Sequence, residues 1–317
     1  MFFTLLFAFL HYTSAFNLYN NIHFNTSVNL TNLVSNIQND KVHILETHFP
    51  YINEETSEYF NNGIPQLANL TDFDYTIEQS ITEYNLTSEY SDLIVFDFEQ
   101  WTPIWDTLSD VYKNSSISYI EHLHPTYNQT QVLDTAISSW ETTSMNLFLR
   151  AINVARLKLK HAKIGYYGYP GMPYWTNYQR NQQQEYYNNR MFELWANVDV
   201  LLPSIYQFYN STDCISIALE NAYYVYNKLT ETNRIKNTFN RDALVYPYTW
   251  HRFHDSPNDL ISYNEQIIQY QYTYYLQNGN DPYDIDGIVL WGNDNSRQVN
   301  ETLVWFSNNS QFFEQLI

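Results

Sequence analysis

Two carboxylates, Asp97 and Glu99, flank Phe98 in the stretch Asp92-Leu-Ile-Val-Phe-Asp-Phe-Glu-Gln-Trp101. Side chains two apart on an extended chain project the same way, so both acids share one face and Phe98 takes the other. Carboxylates that close repel when both are charged, and one of them holds its proton to higher pH than usual. That is what a glycosidase needs in a general acid working near neutral or mildly acidic pH. Two solvated acids at a strand end would show the same spacing, so the elements around them must decide.

The run Leu93 to Phe96 has no polar break and reads as a strand buried on both faces, as in a parallel sheet. Further strand candidates are Phe16 to Tyr19, Val42 to Leu45, Ala162 to Tyr169, Val198 to Tyr206, Ala243 to Trp250 and Gly287 to Gly292. Between them lie helical patterns. The clearest runs from about Gln131 to Lys160, with Leu133, Ile137, Trp140, Phe148, Ile152, Ala155 and Leu159 at three- and four-residue steps. Others are placed at Val28 to Gln38, Ile215 to Thr230, Asn264 to Gln277 and Thr302 to Leu316, while Asn177 to Asn189 reads as a long polar loop. Strand and helix alternating about seven times without a composition break predict one α/β domain, a distorted TIM-like (β/α) barrel of about seven parallel strands. In such barrels the site sits at the C-terminal strand ends. Asp97, Glu99, the tyrosines of 165–170, Tyr206 and Trp291 all fall there.

Residues 1–15 form a short apolar run with Thr13 and Ala15 at small-residue positions, and are expected to be a secretory signal ahead of a single domain over 16–317. Nine Asn-x-Ser/Thr sequons, from Asn25 to Asn308, fit a secreted glycoprotein. Cys214 is the one cysteine, expected to be an inert thiol, so no internal disulfide forms within these residues. A net charge of −19 disfavours nucleic acid and anionic membrane as partners. The aromatic fraction, 18%, is rich in tyrosine and suits a groove on which sugar rings stack.

Five segments in order carry a specific resemblance. They are Phe-Asp-Phe-Glu-x-Trp-x-Pro (96–103), His124-Pro-Thr-Tyr127, Gly-Tyr-Tyr-Gly-Tyr-Pro (165–170), Leu-Leu-Pro-Ser-Ile-Tyr (201–206) and Asp286-Gly-Ile-Val-Leu-Trp-Gly292. Together with Asn62 to Thr71 they resemble the hyaluronidase family, glycoside hydrolase family 56, and the insect-venom type most. The resemblance implies retaining endo-hydrolysis of β-1,4 N-acetylhexosaminide bonds in hyaluronan or chondroitin, with the substrate's own acetamido oxygen as nucleophile. It implies Glu99 as the proton donor and Asp97 as its partner beside the acetamido group. It also implies Tyr167, Tyr206 and Trp291 as the walls of that subsite, with Trp101 joining the substrate-binding set. A chitinase-type site would want a third acid two residues before Asp97, where Val95 stands.

The chain departs from the family at the groove. Thr102 stands where Arg is usual, Glu46 and Thr47 replace Tyr and Asp, and Asn293-Asp294 replaces a serine pair. Arg252 and Arg297 are expected to supply replacement charge toward a polyanion. His251-x-x-His254 and His122-x-His124 resemble metal spacings, but substrate assistance needs no metal or cofactor, and none is expected. A monomer is expected. The competing reading is a secreted, catalytically weak paralogue that binds glycan.

Overall fold

The computed structural model describes residues 16–24, 26–34, 36–174, 178–211, 214–262, 265, 269 and 285–314. The proposed signal at 1–15 and nearly all of the helix expected at 264–277 lie outside them. Strands are β1 (Asn17–Phe24), β2 (Thr26–Ser27), β3 (Val42–Leu45), β4 (Tyr51–Ile52), β5 (Tyr59–Phe60), β6 (Leu93–Phe96), β7 (Lys163–Tyr166), β8 (Val200–Leu201), β9 (Leu244–Val245), β10 (Tyr248–Trp250) and β11 (Gly287–Asn293). Helices are α1 (Leu70–Glu83), α2 (Asp110–Leu123), α3 (Gln129–Lys158), α4 (Tyr178–Arg190), α5 (Phe192–Asn197), α6 (Ile215–Phe239), α7 (Ser296–Asn308) and α8 (Ser310–Glu314).

Parallel pairing runs β10–β11–β1 and β3–β6–β7, with β8 on β9. Single bridges join the pieces: Tyr167 to Leu202, Ser204 to Tyr248, and Tyr19 to Gln38 just ahead of β3. The ring therefore closes through seven strand positions, with β9 and β10 as one strand interrupted at Tyr246 and Pro247. At Gly165 a Cβ would lie 2.3 Å from the Val200 carbonyl oxygen, so only glycine lets β7 approach β8.

The strand β6 is buried on two faces, and both are apolar. Leu93 and Val95 join Tyr19, Val42, Val200, Leu202 and Val289 in the barrel interior. Ile94 and Phe96 join Phe148, Ile152 and Ile164 between sheet and helices. The parity continues past the end of β6. Phe98 is buried in the outer layer, with its ring stacked on Phe49 at 4.5 Å and edge-on to Trp101 at 4.8 Å, while Asp97 and Glu99 open to the inner mouth.

Three expectations about the shell need correction. Val28 to Gln38 is not helical: Asn36 and Asp40 have positive φ, and Gln38 pairs extended with β1 through Asn20 N–H to Gln38 O and Gln38 N–H to Leu18 O. The supposed polar loop after β7 is largely the helix α4. It is fixed by polar contacts rather than an apolar stripe. Asn188, 1% exposed, donates to Glu231 and to the Gly171 carbonyl, and its own carbonyl accepts from Trp195 Nε1. Arg190 closes the end by pairing with Asp106 and Glu141. Finally, α1 and α2 were not read as helices at all. The signal for α1 was present: the Asn69 side chain caps it by accepting from the Thr71 and Asp72 amides, and Phe73, Ile77 and Ile81 recur every four residues on its buried side.

Phe98→Ala removes the ring that sets this parity. We expect a loss of about 3–5 kcal/mol, read as a lower urea midpoint at unchanged slope.

Candidate active site

Inward parity at the C-terminal strand ends gathers the expected residues. A cavity of about 300 Å³ is lined by Asp97 and Glu99 after β6, Tyr167 after β7, Tyr206 after β8, Tyr248 and Trp250 on β10, and Trp291 on β11. Gly168, with φ of +80°, lets the chain turn immediately after Tyr167. Tyr206 is buried and lies nearly parallel to Trp291, with ring centroids 5.6 Å apart. Trp250 meets Trp291 edge-on at 4.9 Å and Tyr248 meets Tyr167 edge-on at 5.0 Å. Aromatic contacts of this kind fix every wall by its neighbour.

Polar groups in the pocket are held unevenly. Tyr167 donates a long 3.4 Å hydrogen bond to Ser204 Oγ, and Tyr248 Oη accepts from the buried Asn21 amide at 3.3 Å. Among the described residues Trp250 Nε1 is buried without a hydrogen-bond partner, and the Tyr206 hydroxyl has the Tyr167 phenol beside it. An unpartnered donor in a cavity wall is a group that a polar ligand satisfies.

The acids behave as their spacing predicts. Both reach water from the open side of the cleft, but protein crowds them elsewhere. Loss of hydration, reinforced by the charge of Glu99, pushes Asp97 up to about 6. Loss of hydration also raises Glu99. The buried phenols stay protonated: burial pushes Tyr167 up to about 12 and carries Tyr206 well above the ordinary tyrosine value.

Two expected groove residues belong elsewhere. Trp101 is 3% exposed, donates its indole N–H to the Pro50 carbonyl at 2.7 Å, and packs among Phe49, Phe98 and Trp140. Arg252 is fully buried behind the pocket. Its guanidinium meets Asp294 and Glu301 at 3.6 Å and bonds the carbonyls of Asn258 and Gln298. The strand ladder has ended by then, and Arg252 ties the loop after β10 to the start of α7. The side chain of Arg297 lies outside the described residues. His251 is buried and bonds Thr302, and burial together with Arg252 pushes it down to about 3, so it is neutral. Cys214 sits half-exposed at the N-terminus of α6. Among the described residues no group of three or more His, Cys, Asp or Glu side chains is placed to hold a metal.

Sequence reasoning missed Tyr248, Trp250 and His254. The first two follow from inward alternation along β10, a signal legible in Pro247-Tyr-Thr-Trp250 once the strand is placed. Among the described residues His254 is the one basic side chain that lines the cavity.

A seven-position β/α barrel with a raised carboxylate pair in an aromatic pocket defines a glycoside hydrolase. Residues 44–308 match the family model described as "Glyco_hydro_56: Hyaluronidase", and the chain belongs to that family. Curated relatives include "Hyaluronidase A" of Vespula vulgaris, 28% identical over 73% of this chain and 69% of its own length. Another is "Hyaluronidase PH-20" of Cavia porcellus, 26% identical over 77% of this chain and 46% of its own. The fold superposes on bee venom hyaluronidase with a TM-score of 0.78 at 22% identity, covering 94% of this chain and 98% of that one. A second bee venom structure, holding a hyaluronic acid tetramer, gives the same score over 93% and 97%.

Two outcomes follow from this geometry. Asp97 has a folded-state value near 6 against 3.8 in the open chain, so the native state binds more protons between those values. Stability contributed by this group is greatest in acid and is lost as pH rises from about 4 to 6. Asp97→Asn is therefore expected to raise Tm at pH 7 and to leave it unchanged below pH 4, as scanning calorimetry would read. Trp101→Phe is expected to destabilise by about 1–3 kcal/mol, since it leaves the Pro50 carbonyl unpaired, while steady-state kinetics give an unchanged KM.

Proposed function

We propose that this protein is a secreted endo-β-N-acetylhexosaminidase that cleaves β-1,4 bonds of hyaluronan, and of chondroitin, with retention of configuration. The observation that carries the reading is the single pocket that holds the Tyr206 hydroxyl and the Trp291 ring together with Asp97 and Glu99. An N-acetylhexosamine has a flat apolar face for Trp291 and an acetamido carbonyl that can accept from Tyr206.

Glu99, in its protonated form, gives its proton to the leaving glycosidic oxygen as the C1–O bond breaks. The acetamido carbonyl oxygen bonds to C1 from the opposite face and forms an oxazolinium ring. Asp97 accepts a hydrogen bond from the acetamido N–H and stabilises the positive charge of that ring. Glu99, now a carboxylate, takes a proton from water, whose oxygen attacks C1 and reopens the ring. Two inversions give net retention. No step calls on a metal or cofactor. The wasp and mammalian relatives bearing the name hyaluronidase, and the hyaluronic acid tetramer in the bee venom structure, support the substrate class. The apolar leader and sequons support export.

Zymography on hyaluronan and on chondroitin, with Glu99→Gln alongside, tests the assignment. We expect a loss of about 10²–10⁴-fold in kcat for Glu99→Gln, and for the parent a kcat/KM that falls as pH rises above the range where the carboxyl pair keeps its proton. Glu99→Gln retaining most activity removes the role, and a parent inactive on both polymers leaves only a glycan-binding protein.

A further inference from the structure

The cleft does not stop at the catalytic pocket. A second hollow of about 460 Å³ shares Ile44, Asp97 and Glu99 with the first and runs outward to Tyr51. Tyr51 opens the antiparallel hairpin of β4 and β5, where it is paired with Phe60. The two rings lie flat on one another, with centroids 4.5 Å apart and planes within 4°. Phe60 remains 38% exposed and Tyr59 beside it 63%. The hairpin is anchored: Tyr112 on α2 accepts from the Ile52 amide and donates to the Ile52 carbonyl. A fixed, uncovered aromatic plate continuous with a saccharide cleft is a surface that a pyranose ring's C–H face can cover.

The charge along this arm restricts which ring. Its lining carries Glu46, Asp97 and Glu99 and, among the described residues, no basic side chain. Glu46 has no cationic partner among the described ion pairs. A uronate here would face like charge at short range, whereas an N-acetylhexosamine would not.

We propose that the Tyr51–Phe60 plate is a distal subsite for an uncharged N-acetylhexosamine ring of the glycan being cleaved. It rests on the hyaluronidase-type reading above. In an alternating glycosaminoglycan the hexosamines recur at every second sugar, so the plate fixes which sugars lie along this arm, in register with the hexosamine held beside Tyr206 and Trp291.

The test uses the Glu99→Gln protein, which holds substrate without turning it over. Calorimetry follows its binding of hyaluronan oligosaccharides lengthened one sugar at a time from the shortest that binds. Affinity is expected to rise about tenfold in a single step, when the added sugar that reaches the plate is a hexosamine. That step should vanish when Tyr51→Ala is added and persist with Tyr51→Phe, since the ring rather than the hydroxyl makes the contact. Phe60→Ala, at an exposed position, should weaken the same step, and affinity for the shortest oligosaccharide should stay as in the Glu99→Gln parent. A missing step, a step produced by a uronate, or a step that survives Tyr51→Ala overturns the plate while leaving the enzyme reading intact. Failure of every length to bind overturns the enzyme reading, and the plate with it.

Discussion

A single buried ring sets which way the paired carboxylates of this protein face. Phe98 is inserted between Phe49 and Trp101 in the layer outside the barrel, so its neighbours on either side must face inward. The carboxylates of Asp97 and Glu99 thereby reach the mouth without any strand residue of their own to hold them there. The same parity operates around the ring. Tyr166 and Leu290 fill the outer layer, while Tyr167 and Trp291, one residue further on, belong with the interior. The pocket is assembled by counting residues past each strand end, and only afterwards by side-chain contact.

That geometry sets two electrostatic demands against each other. Crowding by protein is what raises the carboxyl pair, and it acts at the expense of the folded state near neutral pH. The environment of the pair thus disfavours its ionised form. The deeper ion network does not line the cleft. Arg252 and Asp294 meet at 3.6 Å in full burial, where they join the loop after β10 to the segment ahead of α7. Toward its substrate the cleft is therefore acidic, with His254 as the basic side chain in its lining.

Much of this was legible in the sequence because strands buried on two faces leave short, largely apolar runs, and the seven strand positions overlap the seven runs expected. The acids, Tyr167, Tyr206 and Trp291 lie at or near the ends of such runs, and they line one cavity. Illegible features share a different cause. In α4 the stabilising contacts are Asn188, Arg190 and their partners in distant segments, which no local periodicity encodes. In α2 the buried side is diluted by Ser116 between Tyr112 and Ile120. Trp101 and Arg252 looked like groove residues because they sit close in sequence to the site. Their burial depends on what packs behind the strands, and adjacency along the chain carries no information about that.

With Cys214 alone among 317 residues, no covalent cross-link ties helices to barrel within them. Arg190 bridging Asp106 and Glu141, and the aromatic layer that sets Phe98 against Phe49 and Phe148 of α3, take that role. Such ties are indifferent to thiols and oxidants. The architecture can consequently be completed in a reducing or an oxidising compartment alike, with no isomerase needed to sort its pairings.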